Sequence, residues 1–141
     1  MASNNTEQQI RIRPARPDDA SSWLALRCEL WPDGAADHGP EIASFFAGTL
    51  PEPAAVLVAL LPSGEMIGIA ELSIRTDLPG MEGRRTGYVE GLYLRPEFRG
   101  RGIARQLLQA SRRWARDEKC ATFASDRAGR IILDRSFQTG V

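Results

Sequence analysis

Apolar residues change their spacing several times along this chain, and each change marks an element. In "IRIRPA", Ile10 to Ala15, they alternate with polar residues and stop at a proline, which predicts a short first strand. Between Asp18 and Trp31 the spacing becomes helical: Trp23, Leu26 and Leu30 fall on one stripe, and Asp18 and Asp19 suit the positive end of the helix in its first turn. Trp31-Pro32-Asp33-Gly34 ends that helix. "EIASFFAG", Glu41 to Gly48, predicts a second, short helix closing at its glycine. Two apolar runs, Ala54 to Leu61 and Glu65 to Arg75, flank Pro62-Ser63-Gly64 and predict a β-hairpin.

A polar, glycine-containing loop from Thr76 to Gly87 precedes "YVEGLYLRP", Tyr88 to Pro96. This is a predicted strand whose interior Gly91 marks a bulge or the close approach of another backbone. Arg99-Gly100-Arg101-Gly102 then leads into a helix from about Ile103 to Glu118, with Ile103, Leu107, Leu108, Ser111, Trp114 and Ala115 along its inner face. "CATFASD", Cys120 to Asp126, is the last clear strand. Beyond it, "RIILDRSF" offers at most a short one.

A chain of 141 residues, 43% hydrophobic and 26% charged, has the size and composition of one globular domain. The 18 basic and 18 acidic residues cancel, so nucleic acid is not an obvious partner. No apolar stretch approaches the ~20 residues that cross a bilayer, and "MASNNTEQQ" lacks the apolar core of a secretion signal. Cys28 and Cys120 stand far apart with no Cys/His cluster, which points to a reducing cytoplasm and to no metal site. The charges are unevenly distributed. From Cys28 to Ser73 there is no Lys or Arg while Glu29, Asp33, Asp37, Glu41, Glu52, Glu65 and Glu71 are all acidic; from Arg75 to Lys119 basic residues predominate. Such a chain is suited to hold a cation with one part and an anion with another.

The junction at Arg99 to Gly102 is where an anion fits. A helix start presents unpaired N–H groups and a positive dipole end, and glycines let a phosphate approach the backbone. A nucleotide P-loop would need Gly-Lys-Ser/Thr before the helix, and a dinucleotide fingerprint would need glycine where Arg105 stands. Neither is present. What remains, Arg99-x-x-Gly102-x-Ala104 between a strand and an amphipathic helix, resembles the acetyl-CoA pyrophosphate signature of the GCN5-related N-acetyltransferase (GNAT) superfamily.

"LWP" (Leu30 to Pro32), "AELSIRTD" (Ala70 to Asp77), "YVEGLYLRPEFRGRGIARQLL" (Tyr88 to Leu108) and "CATFASD" further resemble the aminoglycoside 6'-N-acetyltransferase branch of that superfamily. The resemblance implies an α/β fold: a mixed, mostly antiparallel central sheet with flanking helices. It implies acetyl-CoA as cosubstrate, with Leu92, Tyr93 and Leu94 against the pantetheine arm and Arg99, Gly100, Arg101, Gly102, Ile103, Ala104 and Arg105 at the pyrophosphate. It implies a small aminoglycoside as the acceptor, with no nucleic-acid or membrane partner and with a homodimer as one assembly. The acetyl group would pass directly to the 6'-amine, conferring antibiotic resistance.

An aliphatic amine is protonated at pH 7, so N-acetylation needs a group that holds the ammonium and takes its proton. By resemblance this group is Glu90, with Trp31 and Asp126 lining the same acceptor pocket. Each has a plainer alternative: Glu90 as an edge carboxylate paired with an arginine, Trp31 as a core residue, and Asp126 as a turn cap. His38, in a polar Gly-Pro segment, reads as a solvated loop residue without a role.

The resemblance stops after "ASD". Ile131 stands where the superfamily's cofactor-side asparagine is expected, Leu78 replaces an acceptor-side tyrosine, and the usual last helix and strand look incomplete, as in a truncated or frame-altered C-terminus. The expected organisation is therefore a flexible N-terminus (1–8), an acetyltransferase domain (9–126) and an atypical tail (127–141). Two other readings stay open. One is a non-catalytic remnant that binds coenzyme A; the other is an N-acetyltransferase for a different small polyamine or a protein amine.

Overall fold

The computed structural model describes residues 9–127, 130–134 and 137, so the expected N-terminal arm and parts of the expected tail lie outside the described residues. Strands β1 (Arg11–Pro14), β2 (Ala55–Leu60), β3 (Met66–Arg75), β4 (Thr86–Leu94), β5 (Thr122–Arg127) and β6 (Arg130–Leu133) form one six-stranded sheet in sequence order. Neighbours are antiparallel except β4 and β5, which run parallel. A parallel pair requires a crossover, and α3 (Ile103–Asp117) supplies it. Helices α1 (Ala20–Leu30) and α2 (Ala35–Ala47) lie between β1 and β2 in the chain and pack on the opposite face. The mixed, mostly antiparallel sheet with flanking helices is the expected one.

The continuous apolar run of β2 follows from burial on both faces. Val56, Val58 and Leu60 pack with Trp23, Leu26 and Ile42 on the α1–α2 side. Leu57 and Ala59 join Ile103, Leu107 and Ala115 on the α3 side. The entry to α1 is held by Asp19, whose carboxylate accepts from Arg13 at 2.7 and 3.1 Å and from the Arg16 amide at 2.7 Å; the Arg13 guanidinium holds it below the usual carboxylate range.

The second helix differs from expectation. It starts at Ala35 rather than Glu41 and carries Pro40 inside it. His38 is consequently a helical residue only 5% exposed, not a solvated loop residue, and its Nε2–H donates to the Trp31 carbonyl at 2.7 Å. That bond ties the start of α2 to the end of α1. At the C-terminus the short strand that "RIILDRSF" offered is present. "CATFASD" is followed by β6, antiparallel to β5, and Phe137 stacks on Phe123 with ring centroids 5.6 Å apart. No helix follows β5 among the described residues, and Ile131, Ile132 and Leu133 are 46%, 41% and 42% exposed.

Candidate active site

The strand pair β3–β4 keeps register from Gly68↔Leu94 to Arg75↔Thr86 with one break: Glu71 faces Gly91 and Leu72 faces Val89, leaving Glu90 as the extra residue of a β-bulge. The expected bulge is therefore there. The expected close approach at Gly91 is also there, but the neighbour is the Trp31 side chain rather than a backbone; a Cβ on Gly91 would lie 2.5 Å from its Cη2. Glu90 and Gly91 both turn toward Trp31, which rests in the space a side chain at 91 would fill.

Glu90 is gripped by Arg75. The guanidinium Nε and Nη2 each donate to one carboxylate oxygen at 2.8 Å, and its plane lies over the Tyr88 ring at 4.3 Å. This bond raises the Arg75 pKa further, so the guanidinium is a permanent charge. A carboxylate offers about four lone-pair directions, and a bidentate arginine uses two. The other two directions can still accept a hydrogen bond.

Trp31, Glu90, Gly91 and Leu92 line a cavity of about 380 Å³ together with Ser125 and Asp126. Trp31 comes from the end of α1, Glu90 from the bulge and Asp126 from the exposed end of β5, so the fold brings the three expected acceptor residues into one space. It does so because β4 and β5 pair only from Thr86↔Thr122 to Val89↔Ser125. Past Val89 the strands part, and the edge of β4 borders the cavity. Leu78, in the position of the missing tyrosine, is buried with Tyr88 and Ala124 instead.

A second cavity of about 400 Å³ adjoins at Leu92 and is lined by Tyr93, Leu94, Arg99, Gly100, Gly102, Ala104 and Arg105. Gly100 and Gly102 hold φ of +81° and +82°, and nothing stands within 4 Å of where either would carry a Cβ. The first amide bonded back into α3 is that of Gln106, to the Gly102 carbonyl at 3.1 Å, so the preceding N–H groups face outward at the positive end of the helix. The resulting cradle fits a pyrophosphate. Two residues expected there differ in orientation. Ile103 is 1% exposed and belongs to the core, so only its amide can serve, and the Arg101 guanidinium lies over the Phe98 ring at 5.8 Å. Arg99 Nε–H donates to the Leu94 carbonyl at 2.8 Å.

Of the seven acidic residues between Cys28 and Ser73, Glu29, Glu41, Glu65 and Glu71 meet cationic or hydroxyl partners in space. Glu29 accepts from Tyr93 Oη–H at 2.7 Å and, with Glu65, meets Arg95; Glu41 and Glu71 share Arg27 at 2.6 and 3.0 Å. Glu71 is 2% exposed, and burial pushes its carboxyl up although the Trp23 indole N–H, at 2.9 Å, and Arg27 oppose the shift. Sequence reasoning did not single out Arg75, which grips Glu90, or Arg27 and Ser73, which line a smaller cavity with Glu90. The signal lay in "ELSIR", where Glu71, Ser73 and Arg75 recur at the two-residue period that puts them on one face of a strand.

A parallel pair that parts beside a glycine cradle, with a carboxylate cavity across the same strand, is the arrangement of an acetyltransferase that accepts an amine. The chain belongs to the acetyltransferase (GNAT) family, whose model matches residues 20–130. An aminoglycoside N(6')-acetyltransferase type 1 from Klebsiella aerogenes is 45% identical over 116 residues, which are 82% of this chain and 76% of that protein. Its counterpart from Stenotrophomonas maltophilia is 40% identical over 82% of this chain and 73% of its own length. Among solved structures, aminoglycoside N-acetyltransferase AAC(6')-Iy in complex with CoA superposes with a TM-score of 0.75 at 30% identity, covering 85% of this chain and 78% of that one. The same enzyme with the bisubstrate analog CoA-S-monomethyl-acetylneamine gives 0.75 at 30% identity, over 85% and 80%.

Proposed function

We infer that this protein transfers the acetyl group of acetyl-CoA to the 6'-amine of an aminoglycoside and so confers resistance to the antibiotic. The observation that carries this reading is the convergence of Trp31, Glu90 and Asp126 on one cavity that meets the glycine cradle at Leu92. The family and the named relatives support it.

Acetyl-CoA supplies the acetyl group as a thioester. The amides at the start of α3 and the turn from Arg99 to Arg105 hold its pyrophosphate, and the free edge of β4 at Leu92, Tyr93 and Leu94 lies along the pantetheine path, where the Leu92 N–H can polarise a carbonyl. Glu90 binds the acceptor ammonium with the lone pairs that Arg75 leaves open and takes its proton, directly or through water, which frees the nitrogen pair to attack the thioester carbonyl; the C–N bond forms as the C–S bond breaks, and coenzyme A leaves as its thiol or thiolate. Asp126 holds a second polar group of the acceptor from the far wall, and the Trp31 ring covers the apolar face of its sugar. β6 and Phe137 pack on β5, so the folded domain continues past the boundary expected at 126. The two unbridged cysteines support a cytoplasmic location, and the exposed Ile131, Ile132 and Leu133 support a homodimer.

The test is acetyl-CoA turnover with kanamycin- or tobramycin-type acceptors against acceptors lacking a 6'-amine. Only the former are expected to react. Glu90→Gln keeps shape and removes charge, so kcat is expected to fall by about 10²- to 10⁴-fold while acetyl-CoA affinity measured calorimetrically stays near wild type. An equal loss of both would make Glu90 a structural partner of Arg75.

A further inference from the structure

Trp31 lines the acceptor cavity, yet it belongs to neither of the helices beside it. α1 ends at Leu30, a single 3₁₀ turn runs from Pro32 to Gly34, and Trp31 between them has φ −130° and ψ 77°. Its N–H is still bonded to the Arg27 carbonyl at 2.8 Å, so the chain leaves the helix on the carbonyl side of this residue. We propose that His38 is a positioning residue for acetyl transfer: by holding that carbonyl it sets where the Trp31 indole stands against the acceptor, although His38 itself is not part of the cavity lining. The proposal rests on the acceptor role given to Trp31 above.

The ring is held for this one bond. His38 is buried, Nε2 lies 2.7 Å from the Trp31 oxygen, and Nδ1 is buried without a hydrogen-bond partner among the described residues. A buried N–H without an acceptor is costly, so the ring carries its proton at Nε2 and donates it to the carbonyl. Gly34 admits the ring, since a Cβ there would lie 3.1 Å from the imidazole Cε1. The Gly34 amide also points at the Trp31 oxygen, but at 3.3 Å it is the longer and weaker bond. A leucine at 38 would avoid burying an unpartnered nitrogen; the bond to Trp31 is what the histidine adds.

Holding both ends of the Trp31 backbone matters because the indole has little room. With its amide fixed by Arg27 and its carbonyl by His38, the direction of its Cα–Cβ bond is fixed too. The ring then sits in the gap at Gly91, where two of its carbons come within 2.5 and 2.8 Å of a notional Cβ, and under the Arg27 guanidinium at 5.5 Å from the centroid. Freeing the carbonyl lets the Cα–Cβ bond swing, and the length of the indole turns a small rotation into a displacement of the cavity wall. A misplacement of about 1 Å in a group that positions substrate can cost up to ~10²-fold.

The experiment measures acetyl transfer to a kanamycin- or tobramycin-type acceptor by wild type, His38→Leu, His38→Gln, Trp31→Ala and the double variant His38→Leu/Trp31→Ala. Leucine removes the donor and is expected to raise the acceptor KM about three- to thirtyfold while acetyl-CoA affinity stays near wild type. Glutamine carries an N–H at nearly the reach of Nε2 and is expected to bring KM back to within about threefold of wild type. In the Trp31→Ala background the leucine substitution is expected to add nothing, because its effect passes through the indole. An unchanged KM in folded His38→Leu, a full further loss in the double variant, or a glutamine variant no better than leucine would each overturn the proposal and leave the bond a tie between helices. Should His38→Leu fail to fold, His38→Asn, whose amide stops short of the carbonyl, takes its place. Trp31→Ala with the wild-type acceptor KM would instead remove the acceptor role of Trp31, and the positioning role of His38 falls with it. If wild type transfers no acetyl group, calorimetric binding of the same acceptor to the same variants decides in place of KM, and no binding to wild type overturns both readings.

Discussion

Trp31 reaches the acceptor cavity through space that Gly91 leaves empty, so the smallest residue of β4 sets the place of the largest residue in the site. Gly91 is not among the positive-φ glycines, so a substitution there acts by volume rather than by backbone strain. In Gly91→Ala the new methyl would stand 2.5 and 2.8 Å from two Trp31 carbons, and the indole must shift. Overpacking of this kind costs about 1–3 kcal/mol, and the shift disturbs the wall beside Glu90. Thermal unfolding should show a lower midpoint, and the acceptor KM should rise while acetyl-CoA affinity holds. An unchanged acceptor KM in the folded variant would mean that Trp31 does not touch the acceptor.

At the scale of elements, the start of α3 joins a backbone shape to an electric field. Gly100 and Gly102 adopt the left-handed conformation that opens the cradle, and the helix dipole makes it positive. Gly102→Asp places a negative charge against the bound pyrophosphate; at a few ångströms this repulsion is expected to weaken acetyl-CoA binding on the order of a hundredfold. Gly102→Asn has nearly the same shape without the charge and shares the same backbone strain, so it serves as the control. Titration calorimetry of the two variants checks this, and equal affinities would place the pyrophosphate elsewhere. The α1–α2 junction works by a different bond, since His38 holds the Trp31 carbonyl and so fixes the chain that presents the indole.

Across the whole molecule, the parting of β4 from β5 connects the two cavities, and the far side of β5 carries the edge strand β6. Among the described residues β6 is the edge of the sheet, and its Ile131, Ile132 and Leu133 are exposed, which is the basis of the proposed homodimer. Sedimentation is expected to show a dimer at micromolar concentration, and Ile132→Lys, which puts a charge on that strand, should shift it to monomer. Wild-type protein that sediments as a monomer over this range would remove the homodimer from the proposal.

The sequence by itself determined the features that local period and local turn chemistry set. Alternation marked β1, unbroken apolar runs marked the β2–β3 hairpin, a helical stripe marked α3, and glycines before a helix marked an anion cradle, because each of these depends on residues only a few positions apart. It also presented Glu90, Trp31 and Asp126, through a resemblance that ordered motifs carry. Tertiary structure alone decided which charges meet. The base-free acidic run looks open in sequence, yet Arg27 and Arg95, outside it, pair with it; Trp23 reaches Glu71 across 48 residues of chain, and Arg75 takes Glu90 from the neighbouring strand. It likewise turned His38 inward and set "RIIL", a possible strand in the sequence, against β5, since burial and strand pairing depend on what folds back against a segment rather than on the segment.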